Sequence, residues 1–163
     1  APWPWPCRSD PFRVVVRLSL DIERFRAKWA SQVNAALGAS DYRANVSPYE
    51  TASPTVPCVF LRRGQVAYHG TMGPPGHTTT AWEMVVRVAA QSDEDCHKAM
   101  DAYASTGNPA SLIDAINTDN TLGGTVGSLV VLSAERPEWF SPEGAREWLE
   151  MRLPMTLQQK GTT

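Results

Sequence analysis

Cysteine is scarce in this chain of 163 residues. Cys7, Cys58 and Cys96 form an odd set at long intervals, whereas a disulfide-stapled secreted domain carries an even set at short spacings. Three free thiols in a reducing compartment are the expectation. Long apolar runs are missing as well: nothing approaches the ~20 residues of a membrane-spanning helix, so no membrane partner is expected. The first residues show no leader pattern, because Pro2, Pro4 and Pro6 alternate with Trp3 and Trp5. Synthesis and residence in the cytosol follow as expectations. Neither sign of charge dominates: 15 basic residues stand against 17 acidic ones, a net charge of −2. That balance withholds the electrostatic footprint of a tight nucleic-acid binder. Arg8, Arg13, Arg17, Arg24, Arg26 and Lys28 do crowd one end, and they read as the wet face of an amphipathic segment.

Motifs that carry chemistry are equally sparse. Cys96 and His97 are adjacent, so on a helix their side chains diverge by about 100° and do not share an ion. His69 and His77 flank a Gly-Pro loop with no third ligand near them in sequence. The glycines around Gly73 and Gly123 lack the Lys-Ser/Thr of a phosphate loop, and no serine sits in a nucleophile elbow. Cys58, in a strand-like run, reads as a small buried hydrophobe. Asp93, Glu94 and Asp95 complement a helix N-terminus and need no metal to explain them. The expectation is a protein without catalytic residues, metal or cofactor.

What is present is an orderly series of elements. Hydrophobic residues make up 42% and charged residues 20%, ordinary for a globular domain. Residues 1–20 read as a Pro/Trp arm, partly extended, with a weak strand at Arg13–Leu18; the arm either docks its indoles or has no structural role. Residues 21–163 read as one domain. Ile22, Phe25, Trp29, Val33 and Leu37 recur at helical spacing, with Gly38 as the stop. A short strand is expected near Tyr42–Val46. Cys58–Arg62 and Gln65–His69 are expected to pair with each other around Arg63-Gly64. The Gly70–His77 segment is too rich in Gly and Pro to be other than a loop. In Thr80–Val88, residues 80, 82, 84, 86 and 88 share one face. Ser92 should cap a helix with the stripe Cys96, Ala99, Met100 and Tyr103, ending near Gly107. Asn108-Pro109 should open the next, with Leu112, Ile113 and Ile116 inward. Leu122 anchors a Gly123-Gly124 turn. Strands are expected at Ser128–Glu135 and Trp148–Leu157, the latter at an edge or bulged because of Pro154, with Arg136–Pro142 a loop between them.

The order of these elements resembles a known family, the tail terminator proteins of long, non-contractile-tailed bacteriophages, also called tail-completion or tail-to-head joining proteins. The resemblance covers roughly Ile22 to Leu157. It runs through the aromatic first helix, Pro57-Cys58-Val59-Phe60-Leu61, and Tyr68-His69-Gly70-Thr71-Met72 ahead of a Trp-containing strand. Ser111-Leu112-Ile113-Asp114-Ala115-Ile116, followed by Asp119-Asn120-Thr121-Leu122-Gly123-Gly124 and an apolar strand, is its most telling part. The Pro-Trp arm departs from the pattern.

The resemblance implies a single α/β (α+β) domain, an antiparallel or mixed sheet packed against about three helices, assembling into a homo-oligomeric ring, commonly a hexamer. Such a ring caps the completed tail tube, ends its polymerisation and joins the tail to the head connector, while genomic DNA passes through the lumen without sequence-specific binding. The implied partners are further copies of the chain, the tail tube protein and the head connector or stopper protein, with the tape measure protein a further candidate. The implied location is the head-proximal end of the virion tail, after assembly in the bacterial cytoplasm. Interface candidates are Arg62, Arg63, Tyr68, His69, Met72 and His77 toward the tube or lumen. Arg136, Trp139 and Phe140 are candidates for the subunit contact, with Trp139 its anchor. Another head–tail junction adaptor or stopper would share this size and neutrality; a small cytosolic hydrolase is the alternative from a different class.

Overall fold

Asp21 begins the first helix: its side chain accepts from the Arg24 amide at 3.0 Å, satisfying a donor the helix itself cannot. In this computed structural model, which describes residues 21–51, 55–68, 77–89, 92–141 and 147–160 (65–68, 77–79 and 159–160 as backbone only), α1 spans Ile22–Gly38. Its stripe of Phe25, Trp29, Val33 and Leu37 is buried. Phe25 meets Trp82 of the sheet with ring centroids 4.7 Å apart and planes tilted by 60°, within the separation at which aromatic pairs attract. Arg26 lays its guanidinium over the rings of Tyr49 and Trp82 and donates to the Pro48 carbonyl at 2.5 Å. Burial lowers the pKa of that guanidinium from its usual value, yet Arg stays charged.

The described residues form a mixed α+β domain of three helices and six strands. The strands are β1 (Asn45–Ser47), β2 (Cys58–Tyr68), β3 (His77–Val88), β4 (Ser128–Val131), β5 (Glu138–Phe140) and β6 (Trp148–Lys160). They lie in the order β1-β2-β3-β6-β4, with β5 also on β6. β1 runs parallel to β2 and the remaining pairs are antiparallel. Helix α2 (Asp93–Ala104) starts where Ser92 Oγ accepts from the Asp95 amide, and its stripe is buried as the periodicity predicts. Tyr103 donates its hydroxyl to the Tyr42 carbonyl at 3.1 Å, and burial pushes its pKa up to about 12.

Helix α3 (Leu112–Asn117) begins three residues later than expected, and α2 stops short of Gly107. Asn108 does accept a local amide, from Ala110, but that closes a turn; Ser111 is the cap, accepting from Asp114. Beyond α3, Leu122 is buried at φ 50°, next to Gly123 and Gly124 at positive φ. A left-handed leucine is strained on its own. The Asp119 carboxylate holds it there by accepting from the Thr121 hydroxyl and amide and from the Gly123 amide, contacts that also lower its pKa.

Three strand expectations are corrected. Cys58–Arg62 and Gln65–His69 do not pair with each other; they are one strand, β2, whose partner is β3. Arg63-Gly64 marks a register slip rather than a turn, since Gly64 lacks the positive φ that a two-residue hairpin demands. A Cβ at Gly64 would lie 2.9 Å from the Ala81 carbonyl oxygen, so the bulge needs glycine for close backbone approach. β6 is neither an edge nor bulged at Pro154: it lies between β3 and β4, with Pro154 in register opposite Glu83. The Pro154 carbonyl accepts from Leu132 on the β4 side. The nitrogen of a residue in extended backbone points to the same side as its carbonyl, so the missing N–H costs no bond to β3. Finally, the expected Arg136–Pro142 loop contains β5, and β4 ends at Val131. Leu132 and Glu135 still donate to Pro154 and Arg152 of β6, so residues 128–140 form one interrupted strand with two one-residue slips.

The arm at 1–20, His69 and residues 70–76 of the Gly-Pro loop lie outside the described residues, while His77, expected in the loop, opens β3. Among the described residues no helix is long and apolar enough to cross a membrane.

Candidate assembly surface

Alternation along the strands sorts their side chains onto two faces. Val59, Leu61, Trp82, Met84, Val86, Leu149, Met151, Leu153 and Met155 face the helices and form the main core with α1, α2 and α3. Their neighbours point to the other face, which no helix of the described residues covers. Registers place these residues in rows: Cys58, Arg87, Glu150 and Glu138; then Phe60, Val85 and Arg152; then Arg62, Glu83 and Pro154.

The three rows, together with Glu50, hold an ion network. Glu150, with 4% of its side chain exposed, accepts from Arg87 Nε at 2.8 Å and lies 3.5 Å from Arg152. Arg87 reaches Glu50 at 3.7 Å, and Glu50 binds Arg62 through two nitrogens at 2.8 and 3.2 Å. Arg62 also lies 3.9 Å from Glu83. Three carboxylates thus answer three guanidiniums. The cations also roof aromatic rings: Arg87 sits over Phe60 and Trp148 at 4.8 and 4.9 Å, and Arg62 over Phe60 at 5.8 Å. Beneath them Cys58, Phe60 and Val85 are buried as a small second core. Burial raises the Cys58 thiol pKa, which keeps it protonated and unreactive.

The Arg62 hydrogen bond, against the opposing effect of burial, lowers the Glu50 pKa below its ordinary carboxylate value. A depressed carboxyl stabilises the fold above the unfolded pKa of about 4.5 and loses that contribution as pH falls through the lower folded value. Glu50 is well exposed, so solvent screens the effect. We expect Glu50→Gln to lower the thermal midpoint slightly at pH 7, with the gap narrowing as pH falls into the acid range, in paired melting curves. A gap that stays constant with pH would remove the ion pair as the cause.

The expected interface residues separate. Arg62 is in the network, and exposed Arg63 stands at the β2 slip. Tyr68 and His77 fall in the paired ends of β2 and β3, with their side chains outside the description; His69 and Met72 lie among the undescribed residues. Phe140 is half-buried and stacks on Trp148. Arg136 lines a hollow with Glu138, Phe140, Glu150 and Arg152 beside the network. Trp139 points the other way, 39% exposed, edge-on to His97 of α2. So Arg62, Arg136 and Phe140 share the helix-free face and Trp139 does not. No family model matches this chain, and no curated protein matches it. Sequence reasoning missed Glu50, Glu83, Arg87, Glu150 and Arg152. Glu83, Arg87, Glu150 and Arg152 fall on the face opposite the apolar one in the alternations of 80–88 and 148–157, but which charges meet depends on register, and Glu50 lies outside both segments.

Both outer edges of the sheet are short. β1 has three residues, beside a cleft of about 460 Å³ lined by Asn34, Arg43, Asn45 and Pro57. On β4 Val130 is 48% exposed, and Leu132, just past its end, is 62% exposed. Leu129 donates its N–H away from the sheet to Asn120, and Leu132 donates toward β6. The Val131 N–H between them therefore faces outward from the edge.

Proposed function

We propose that this chain is a structural virion protein that forms a ring at the head-proximal end of a phage tail tube. The ring ends tube polymerisation, joins the tail to the head connector and lets DNA pass. The observation that supports this reading is a sheet with one face free of helices among the described residues and with two short outer edges, one of which presents an outward Val131 N–H. An uncovered edge is a template for another chain, and a head-to-tail arrangement of unlike edges closes into a ring when the rotation allows. The helix-free face suits recognition of a protein neighbour, since its charges are fixed in position and balanced in sign. The same balance suits a lumen through which DNA slides, because a dense Lys/Arg lining would bind phosphate and release counterions. The mixed α+β architecture agrees with the fold that the resemblance implies.

The test is the mass of the purified chain, alone and with tail tubes, by native mass spectrometry and electron microscopy. A closed oligomer, or rings found only on tube ends together with arrested tube growth, is the expected result. A monomer that neither binds tube ends nor limits their length overturns the proposal.

A further inference from the structure

Two backbone groups at opposite edges of the sheet match each other. Asn45 donates its N–H to the Pro57 carbonyl, toward β2, so the N–H and carbonyl of Val46, the next residue of β1, face outward. On the far edge the N–H and carbonyl of Val131 face outward in the same way. Val46 and Val131 are both half-buried against the main core, so both side chains lie on the helix side of the sheet. β1 runs parallel to β2, and β2, β3, β6 and β4 alternate in direction. β4 therefore runs opposite to β1.

We infer that β4 of one copy of this chain pairs antiparallel with β1 of the next copy, with Val131 opposite Val46. The inference rests on the ring reading and names its contact. A head-to-tail neighbour with its helices on the same side presents β1 to β4 in the antiparallel sense, as the strand directions require. Residues directly opposite in an antiparallel pair share a face, and a pair that exchanges both N–H···O bonds turns its backbone groups toward each other. Val46 and Val131 meet both conditions. The pairing sets Ser47 of the next copy opposite Val130, and Asn45 opposite Leu132, on the helix-free face. The two exposed hydrophobics then lie beside a hollow of about 380 Å³ whose lining includes Asn45, Ser47, Tyr49 and Phe60, and their burial favours the contact.

Two features select β1 rather than a second β4 as the occupant. The first is length. Leu129 donates outward to Asn120, so the chain at Asn120 already lies along the edge there and the open stretch begins at Val130. β1 ends at Ser47, opposite Val130, where Ser47 Oγ accepts from the Tyr49 amide in a bend. A second β4 centred on Val131 would carry its Ser133 against Asn120. The second is charge. Arg43, three residues before Val46, and Glu135, four after Val131, are exposed and have no ion pair among the described residues. Antiparallel pairing brings them to the same end of the contact, whereas two β4 strands would set Glu135 beside the uncharged Gly127.

Cross-linking tests the register. Cys58 and Cys96 are buried, and Cys7→Ser removes the third thiol. In that background the full chain carrying Ser47→Cys and Val130→Cys is oxidised, and the linked peptides are identified by mass spectrometry while native mass reports assembly. Non-hydrogen-bonded pairs lie ~4.5 Å apart at Cα, within disulfide reach. The two positions stand at opposite edges of one sheet, so a link joins two chains. We expect covalent multimers joined 47 to 130, and likewise 45 to 132 for Asn45→Cys with Leu132→Cys. Ser47→Cys with Ser128→Cys, two residues out of register, should link about tenfold less. Links of 130 to 130 or 47 to 47, equal linking in both registers, or assembled chains that link at neither in-register pair overturn the contact and leave the ring standing. A chain that is monomeric by native mass and unlinked overturns both.

Discussion

Replacing Glu150 by alanine is expected to destabilise the isolated chain by about 3–5 kcal/mol, the usual cost of removing one member of a buried ion pair. The side chain is 4% exposed and Arg87, its partner at 2.8 Å, is 11% exposed. Without Glu150, Arg87 keeps, among the described residues, Glu50 at 3.7 Å and the faces of Phe60 and Trp148. Those rings soften the loss without supplying a counter-charge. Arg152, 3.5 Å from Glu150, loses a neighbour as well, but it is more exposed and water takes over. In a chain of this size each kcal/mol shifts the melting temperature by roughly 2–4 °C, so the effect is easily read in denaturant or thermal unfolding.

The informative companion is Arg87→Leu with Glu150→Leu, which removes both charges and leaves no buried ion unpaired. It should recover most of the stability, since an apolar pair of similar size often does as well as a buried ion pair. Stability and assembly then come apart. If the network is kept for a neighbouring protein, the double variant folds and fails to assemble. A loss below about 1 kcal/mol for Glu150→Ala would mean that solvent already screens the pair. The face would then not be a preformed recognition surface.

The helices and the core were legible in the sequence because their signals are local. Phe25, Trp29, Val33 and Leu37 declare the α1 stripe, and Leu149 to Leu157 declare the inner face of β6, by spacing alone. Ser92 announces its helix by a hydrogen bond across three residues. What stayed hidden depends on partners distant in the chain. Gly64 resembles a turn residue until Ala81 is placed against it. Pro154 argues for an edge until its empty nitrogen is seen to face the side where β4 gives out. β5 is three residues long, too short to show an alternation, and exists because Trp148–Glu150 offers it a ladder. The charge network is hidden for the same reason: Arg87 and Glu150 are 63 positions apart, and register alone makes them neighbours.

Register also fixes the sharpest test of assembly. The outward Val131 N–H is the backbone donor at the β4 edge available to an incoming strand, because Leu129 is occupied by Asn120 and Leu132 by Pro154. Proline is tolerated in a strand where the N–H faces solvent, so Val131→Pro should leave the isolated chain folded, within about 1–2 kcal/mol of the parent once partial loss of the Val131 packing is allowed for. At a subunit contact made through this edge the same change removes a donor and sets a pyrrolidine ring against the neighbour's carbonyl. A lost hydrogen bond with an acceptor left stranded costs about 1–3 kcal/mol, and every tenfold in affinity is about 1.4 kcal/mol. The contact recurs at each interface of a closed ring, so the losses accumulate around it and the ring should vanish at concentrations where the parent is fully assembled. Val131→Thr, which retains the N–H and the branched shape, should assemble like the parent. Rings of parental mass from the proline variant would show that the subunits meet elsewhere, leaving the helix-free face and the β1 edge to carry the contact.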